Sequence, residues 1–141
     1  MKRSGTATWR GAIKSGAGSL ATESGVLDGV PYSFAKRFGD ETGTNPEELI
    51  GAAHAGCYAM ALSGVLESRD MTPKELVVDA EVSVVPIEVG FEISAVHLTL
   101  RASIPGADAG AFAKAAEDAK VGCPVSKVLN AEITLDASLE S

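Results

Sequence analysis

What this chain lacks narrows its class before any motif is considered. Two cysteines in 141 residues are too few for a disulfide scaffold. They do not form the Cys-x-x-Cys pair of a thioredoxin-type site. Basic residues are outnumbered, 12 against 19 acidic, for a net charge of −7, which argues against a nucleic-acid-binding surface and more strongly against an anionic membrane surface. No apolar run approaches the roughly 18 residues of a membrane span. The start, Met1-Lys2-Arg3-Ser4-Gly5-Thr6-Ala7-Thr8-Trp9, carries charge with no apolar stretch behind it, so no secretory signal is expected and a cytoplasmic location is. Gly-x-Gly-x-x-Gly and P-loop patterns are missing, which leaves nucleotide cofactors without support.

What is present fits a soluble protein with a real core. Hydrophobic residues make up 45% and charged residues 22%, which excludes intrinsic disorder. At this length a folded chain buries roughly two-thirds of its unfolded surface. No linker, low-complexity tract or convincing internal repeat interrupts it, so 1–141 reads as one domain.

The pattern predicts strands over 5–10, 19–23 and 31–38, the last with Tyr32, Phe34 and Phe38 on one face. After a polar loop, Thr44-Asn45-Pro46-Glu47-Glu48 is a helix start: a cap, a proline suited to the first position, and acids at the positive end of the dipole. That helix runs to about Ser68, and Ile50, Ala53, Cys57, Met60 and Gly64 form a small-residue seam suited to another helix. Strands over 76–85 and 91–103, helices over 108–121 and 123–129, and a strand over 131–137 complete an α+β order. Trp9 and the Tyr32, Phe34, Phe38 stripe read as core, and the acids through 67–92 as solvated surface.

The chemistry rests on the two cysteines. Buried, inert thiols are the plain alternative. Cys57 lies mid-helix, where the dipole is spent and an apolar seam raises a thiol's pKa, so a nucleophilic Cys57 needs a cation from elsewhere. Cys123 precedes Pro124 at a helix start, which favours thiolate. Physics makes Cys123 the better-activated thiol without deciding which one attacks first. His54, three residues before Cys57, can share its helix face. A Cys57–His54 dyad for acyl transfer therefore stays open, although a lone His in an apolar helix is more often structural. A zinc site joining these residues to Cys123 and His97 lacks tightly spaced ligand pairs, so no metal or bound cofactor is expected.

Gly43-Thr44-Asn45-Pro46-Glu47-Glu48-Leu49-Ile50-Gly51-Ala52-Ala53-His54-Ala55-Gly56-Cys57, followed by Ala59-Met60-Ala61-Leu62-Ser63, resembles the first cysteine helix of the osmotically inducible OsmC proteins. Gly122-Cys123-Pro124-Val125-Ser126-Lys127-Val128-Leu129 resembles their second cysteine segment. Thr22-Glu23-Ser24-Gly25-Val26-Leu27 and Arg37-Phe38 also match, so the resemblance spans essentially the whole chain. Within the wider OsmC and organic-hydroperoxide-resistance family, the wording favours the OsmC branch.

The resemblance implies an intertwined homodimer and a thiol peroxidase. Cys57 would be the peroxidatic cysteine and Cys123 the resolving one, with Arg37 and Glu47 organising the site. Cys57 sulfenic acid would condense with Cys123, and an external dithiol, a lipoyl group in related proteins, would restore both thiols. One constraint comes from helix geometry alone. Glu47 and Cys57 are ten residues apart, about 15 Å along a continuous helix. Sharing one site requires a break near Gly51 or a second subunit. Outside the resemblance, a hydrophobic-ligand module with structural cysteines also remains.

Overall fold

Alternating short-chain and aromatic residues, punctuated by glycine, start the chain as a meander. The computed structural model describes residues 1–140, which fall into two units that divide between Leu49 and Ile50. In the first unit β1 (Gly5–Arg10), β2 (Ala17–Thr22) and β3 (Val30–Tyr32) pair antiparallel in that order.

The strand expected over 31–38 is not formed. β3 stops at Tyr32, and a five-residue helix, α1 (Phe34–Phe38), follows. The physical reason is Ser33, whose hydroxyl accepts the Lys36 N–H at 3.2 Å and caps the turn. Phe34 and Phe38 then meet as an i,i+4 pair with ring centroids 5.1 Å apart. Trp9, Tyr32, Phe34 and Phe38 are not core either. The Trp9 and Tyr32 rings meet at 5.4 Å, tilted by 53°, and all four line an open apolar cavity of about 340 Å³ with Ile13, Ser33 and Arg37.

The long helix α2 (Pro46–Glu67) opens as expected, with the Asn45 carbonyl oxygen of the side chain accepting the Glu48 N–H at 2.8 Å. Its buried stripe is Gly51, His54, Tyr58, Leu62 and Leu66. The predicted seam lies one step round the helix, and within the chain it is uncovered at Ala53, Met60 and Gly64. Three-and-four spacing fits both stripes, and volume decides between them: the large side chains lie on the buried one. α2 also corrects the expectation about apolar runs. By length and composition it could cross a membrane, with a mean hydropathy of 1.5, because no Asp, Glu, Lys or Arg falls between Glu48 and Glu67. Tyr58, Leu62 and Leu66 are instead fully buried in the protein.

The second unit closes that core. β4 (Glu75–Pro86) and β5 (Phe91–Ser103) pair antiparallel, and β6 (Glu132–Glu140) adds parallel to β5. A parallel neighbour needs a crossover, which α3 (Ala109–Gly122) and α4 (Pro124–Val128) supply. The register jumps from Ser83–Ala95 to Val84–Ile93, leaving Ser94 unpaired, and this bulge turns Val96, Leu98, Leu100 and Ala102 inward. They join Tyr58, Leu62 and Leu66 of α2 and Phe112, Ala115, Ala116 and Ala119 of α3. Full burial of each large side chain stabilises the unit by about 1.5–3 kcal/mol.

Candidate active site

In the first unit, Arg37 on α1 and Glu47 in the first turn of α2 form a forked pair. Arg37 Nε donates to both Glu47 carboxylate oxygens at 3.1 Å, and Nη2 donates to Oε1 at 2.6 Å. The Glu47 side chain is only 12% exposed and the Arg37 side chain 37%, so the acid is enclosed while the guanidinium keeps a free edge. Arg37 also lies 4.8 Å over the Phe38 ring. A planar fork held this way presents charge and N–H donors at a fixed angle beside the apolar cavity.

In the second unit, Cys57 on α2 and Cys123, between α3 and α4, are both free thiols with sulfurs 2.9 Å apart. Cys123 is completely buried and Cys57 half-buried. The Cys123 N–H bonds the Ala119 carbonyl at 2.9 Å, ending α3, and Pro124 starts α4 at once. Burial would raise the Cys123 thiol. It is outweighed by the neighbouring Cys57 thiol and by the polar groups of Ser126 and Val125 at the start of α4, which hold the thiol below its usual value. Burial and the bond to Cys123 push Cys57 up, against a single Val125 N–H. The contrast expected from helix position is therefore there: Cys123 is favoured as thiolate, and among the described residues of the second unit nothing cationic lowers the Cys57 thiol.

His54 is fully buried, and burial lowers its pKa, so the imidazole is neutral. Its Nε2 lies 2.7 Å from Ser126 Oγ, while Nδ1 has no hydrogen-bond partner among the described residues. His54 thus has no hydrogen bond to Cys57, and the dyad has no geometry. Ser126 is the participant that residue-by-residue reasoning missed. Its signal was Cys123-Pro124-Val125-Ser126, the spacing at which a third helical residue faces the capping position. His97, weighed as a zinc ligand, sits on β5 with Nδ1 2.7 Å from Thr134 Oγ1 and Nε2 3.3 Å from Asp136. Among the described residues no group of three His, Cys, Asp or Glu is placed to hold a metal.

Comparison with known proteins identifies the family. The family model described as OsmC-like protein matches residues 39–138. The chain belongs to the OsmC-like family. It is 50% identical over 141 residues to the peroxiredoxin OsmC of Escherichia coli, covering 100% of this chain and 99% of that one. The crystal structure of the organic hydroperoxide resistance protein OhrB of Bacillus subtilis shares the α+β fold at a TM-score of 0.69 and 26% identity, covering 96% of this chain and 98% of that one. An organic hydroperoxide resistance protein from Elizabethkingia anophelis, solved with thiocyanate bound, is similar at a TM-score of 0.74 and 28% identity over 99% of each chain.

Proposed function

We propose that this OsmC-like chain is a thiol-dependent peroxidase that reduces organic hydroperoxides, and hydrogen peroxide with them, in the cytoplasm. The observation that carries the reading is the pair of free sulfurs 2.9 Å apart, in a chain half identical to a peroxiredoxin. Cys57 thiolate attacks the O–O bond, taking one oxygen as sulfenic acid and releasing an alkoxide that leaves as alcohol once protonated. Cys123 then attacks the Cys57 sulfur, expelling hydroxide as water and forming the disulfide. An external dithiol, with a lipoyl-type compound the first to try, reduces it by exchange and is itself oxidised.

Arg37 supplies the cation that Cys57 lacks. Its guanidinium stabilises thiolate and the charge growing on the departing oxygen, and Glu47 fixes its orientation. The aromatic cavity beside Arg37 suits the apolar part of an organic peroxide. The two units act as one domain, and the working form is a homodimer in which Arg37 and Glu47 serve the partner's Cys57. Two observations support that arrangement. α2 is unbroken from Pro46 to Glu67, which removes the break near Gly51 as an alternative, and its small-residue seam is uncovered within the chain. The hydrogen bond between His54 and Ser126 counts against acyl transfer by Cys57 and His54.

The test is peroxide-dependent consumption of defined dithiols, comparing tert-alkyl, lipid and hydrogen peroxides. Turnover with at least one peroxide is the expected result. Its absence with all three overturns the reading and leaves a ligand-binding module with structural cysteines.

A further inference from the structure

A fully buried histidine with one nitrogen bonded and the other unpartnered sits next to the cysteine pair, and peroxide attack gives it no role. Resting on the peroxidase reading, we infer that His54 and Ser126 are positioning residues for Cys123: His54 Nε2–H donates to Ser126 Oγ, which turns the hydroxyl hydrogen of Ser126 onto the Cys123 sulfur.

Two hydrogens decide the direction of the contact. His54 is neutral, so its ring carries one N–H, and a serine hydroxyl has one hydrogen to give. If the ring proton were on Nδ1, that N–H would be buried with no acceptor, and the hydroxyl would spend its hydrogen on Nε2. Ser126 would then face Cys123 with lone pairs alone, which repel a thiolate. With the proton on Nε2, the 2.7 Å contact is a donation from His54. The Ser126 hydroxyl, in the first turn of the helix that Cys123 opens, is then free to turn its hydrogen onto the sulfur. The unpartnered atom is then a bare lone pair, less costly to bury than an orphaned N–H. Other titratable groups do not compete for this task. Tyr58, the residue after Cys57, gives its phenolic hydrogen to the Ala116 carbonyl at 3.2 Å. Burial, with Glu117 and Cys123 adding to it, keeps Tyr58 neutral, and the remaining neighbour is Cys57 itself.

A thiolate-favouring Cys123 acts in two steps and not in a third. It attacks the Cys57 sulfenic acid faster at neutral pH. In reduction it is the better leaving group, so the incoming thiolate is directed to the more accessible Cys57 sulfur, forming a mixed disulfide there and releasing Cys123 as thiolate. The initial attack on peroxide does not involve it.

The test separates these steps by rapid mixing. In Ser126→Ala, Cys57 sulfenic acid should form within about twofold of the wild-type rate, while disulfide formation near neutral pH slows about tenfold and its pH midpoint rises by about one unit. Ser126→Thr, which keeps a hydroxyl, should restore the wild-type profile. His54→Leu should slow the same step, and combining it with Ser126→Ala should add nothing, because the two act through one chain of hydrogen bonds. An unchanged pH profile in Ser126→Ala, or additive losses in the double variant, overturns the relay. Two measurements need no peroxide, so they stand even if the peroxidase reading fails. Ultraviolet thiolate titration of Cys123 in the Cys57→Ser background should move up in pH when Ser126→Ala is added. Nitrogen NMR of the unaltered protein should show His54 protonated on Nε2, and the opposite tautomer would refute the relay even if no variant folds.

Discussion

Cys57 and Cys123 face each other across 2.9 Å although 66 residues separate them in sequence. A disulfide needs sulfurs about 2.05 Å apart, so the resolving step requires only a small local movement. The roles then predict different failures. Cys57→Ser should lose sulfenic acid formation and turnover altogether. Cys123→Ser should consume one equivalent of peroxide rapidly, then stall with Cys57 held as sulfenic acid or over-oxidised, which mass spectrometry of the intact protein distinguishes. Loss of the first attack in Cys123→Ser, with its retention in Cys57→Ser, would reverse the assignment.

Arg37→Lys keeps the charge but loses the fork on Glu47. A lysine is a point charge on a flexible stem, and it cannot donate to both carboxylate oxygens from a fixed plane. The rate of Cys57 oxidation should fall by about 10²-fold, the loss typical of one misplaced charge-stabilising donor, while disulfide formation after a single oxidation is unaffected. Stopped-flow measurement of both phases checks this. Equal losses in the two phases would mean that the arginine supports the fold and not the reaction.

His54 ties acid sensitivity to burial. Its pKa is lowered in the folded protein, so the unfolded chain takes up its proton first as pH falls. The native state loses relative stability from about pH 6.5 downward. The urea midpoint should therefore drop between neutral pH and pH about 5, and His54→Gln should flatten that part of the curve. The same variant should keep the rate of peroxide attack, since His54 has no hydrogen bond to Cys57. A loss of first attack comparable to removing Cys57 would bring back the dyad.

The fold was legible where one local signal dominates and illegible where two compete. Asn45-Pro46-Glu47-Glu48 fixed the start of α2, and the strand expected over 91–103 matches β5 at both ends. Tyr32, Phe34 and Phe38 misled because the same three positions fit a strand and an i,i+4 helix pair, and only the Ser33 cap separates them. Along α2, every third or fourth residue is apolar on two adjacent stripes. Residue type could not say that Tyr58 and Leu62 go inward while Met60 stays out. At the site, the fork of Arg37 on Glu47 was legible through the resemblance. Ser126 was not, because its role depends on a buried histidine 72 residues earlier in the chain.

Two glycines of α2 should respond oppositely to alanine. A Cβ on Gly51 would lie 2.9 Å from the Ala80 carbonyl oxygen on β4, so Gly51→Ala should destabilise by about 1–3 kcal/mol through overpacking against backbone. Gly56 has nothing within 4 Å of its Cβ position, and alanine there should strengthen an isolated helix by about 0.5–1 kcal/mol. If that face is the dimer seam, Gly56→Ala should weaken the dimer instead, which sedimentation across a dilution series would reveal. A dimer unmoved by Gly56→Ala and Gly64→Leu together would place the subunit contact elsewhere.

The shared site is testable by complementation between subunits. Glu47 and Cys57 stand on one unbroken helix, about 15 Å apart along its axis, so neither side chain reaches the other within a chain. Once Glu47→Ala and Cys57→Ser are each shown to be inactive as homodimers, the two are co-expressed with different tags and the mixed dimer is isolated. When Glu47 serves the partner's Cys57, one site of the mixed dimer carries both lesions and the other carries neither. Activity should return to as much as half that of the wild-type dimer. When both residues come from one chain, every site keeps a lesion and nothing returns. Co-expression is essential, because intertwined subunits need not exchange once folded, and retention of both tags proves that the mixed dimer formed. A doubly tagged dimer without activity would refute the shared site, since the continuity of α2 leaves no break at Gly51 by which Glu47 could fold back onto its own Cys57.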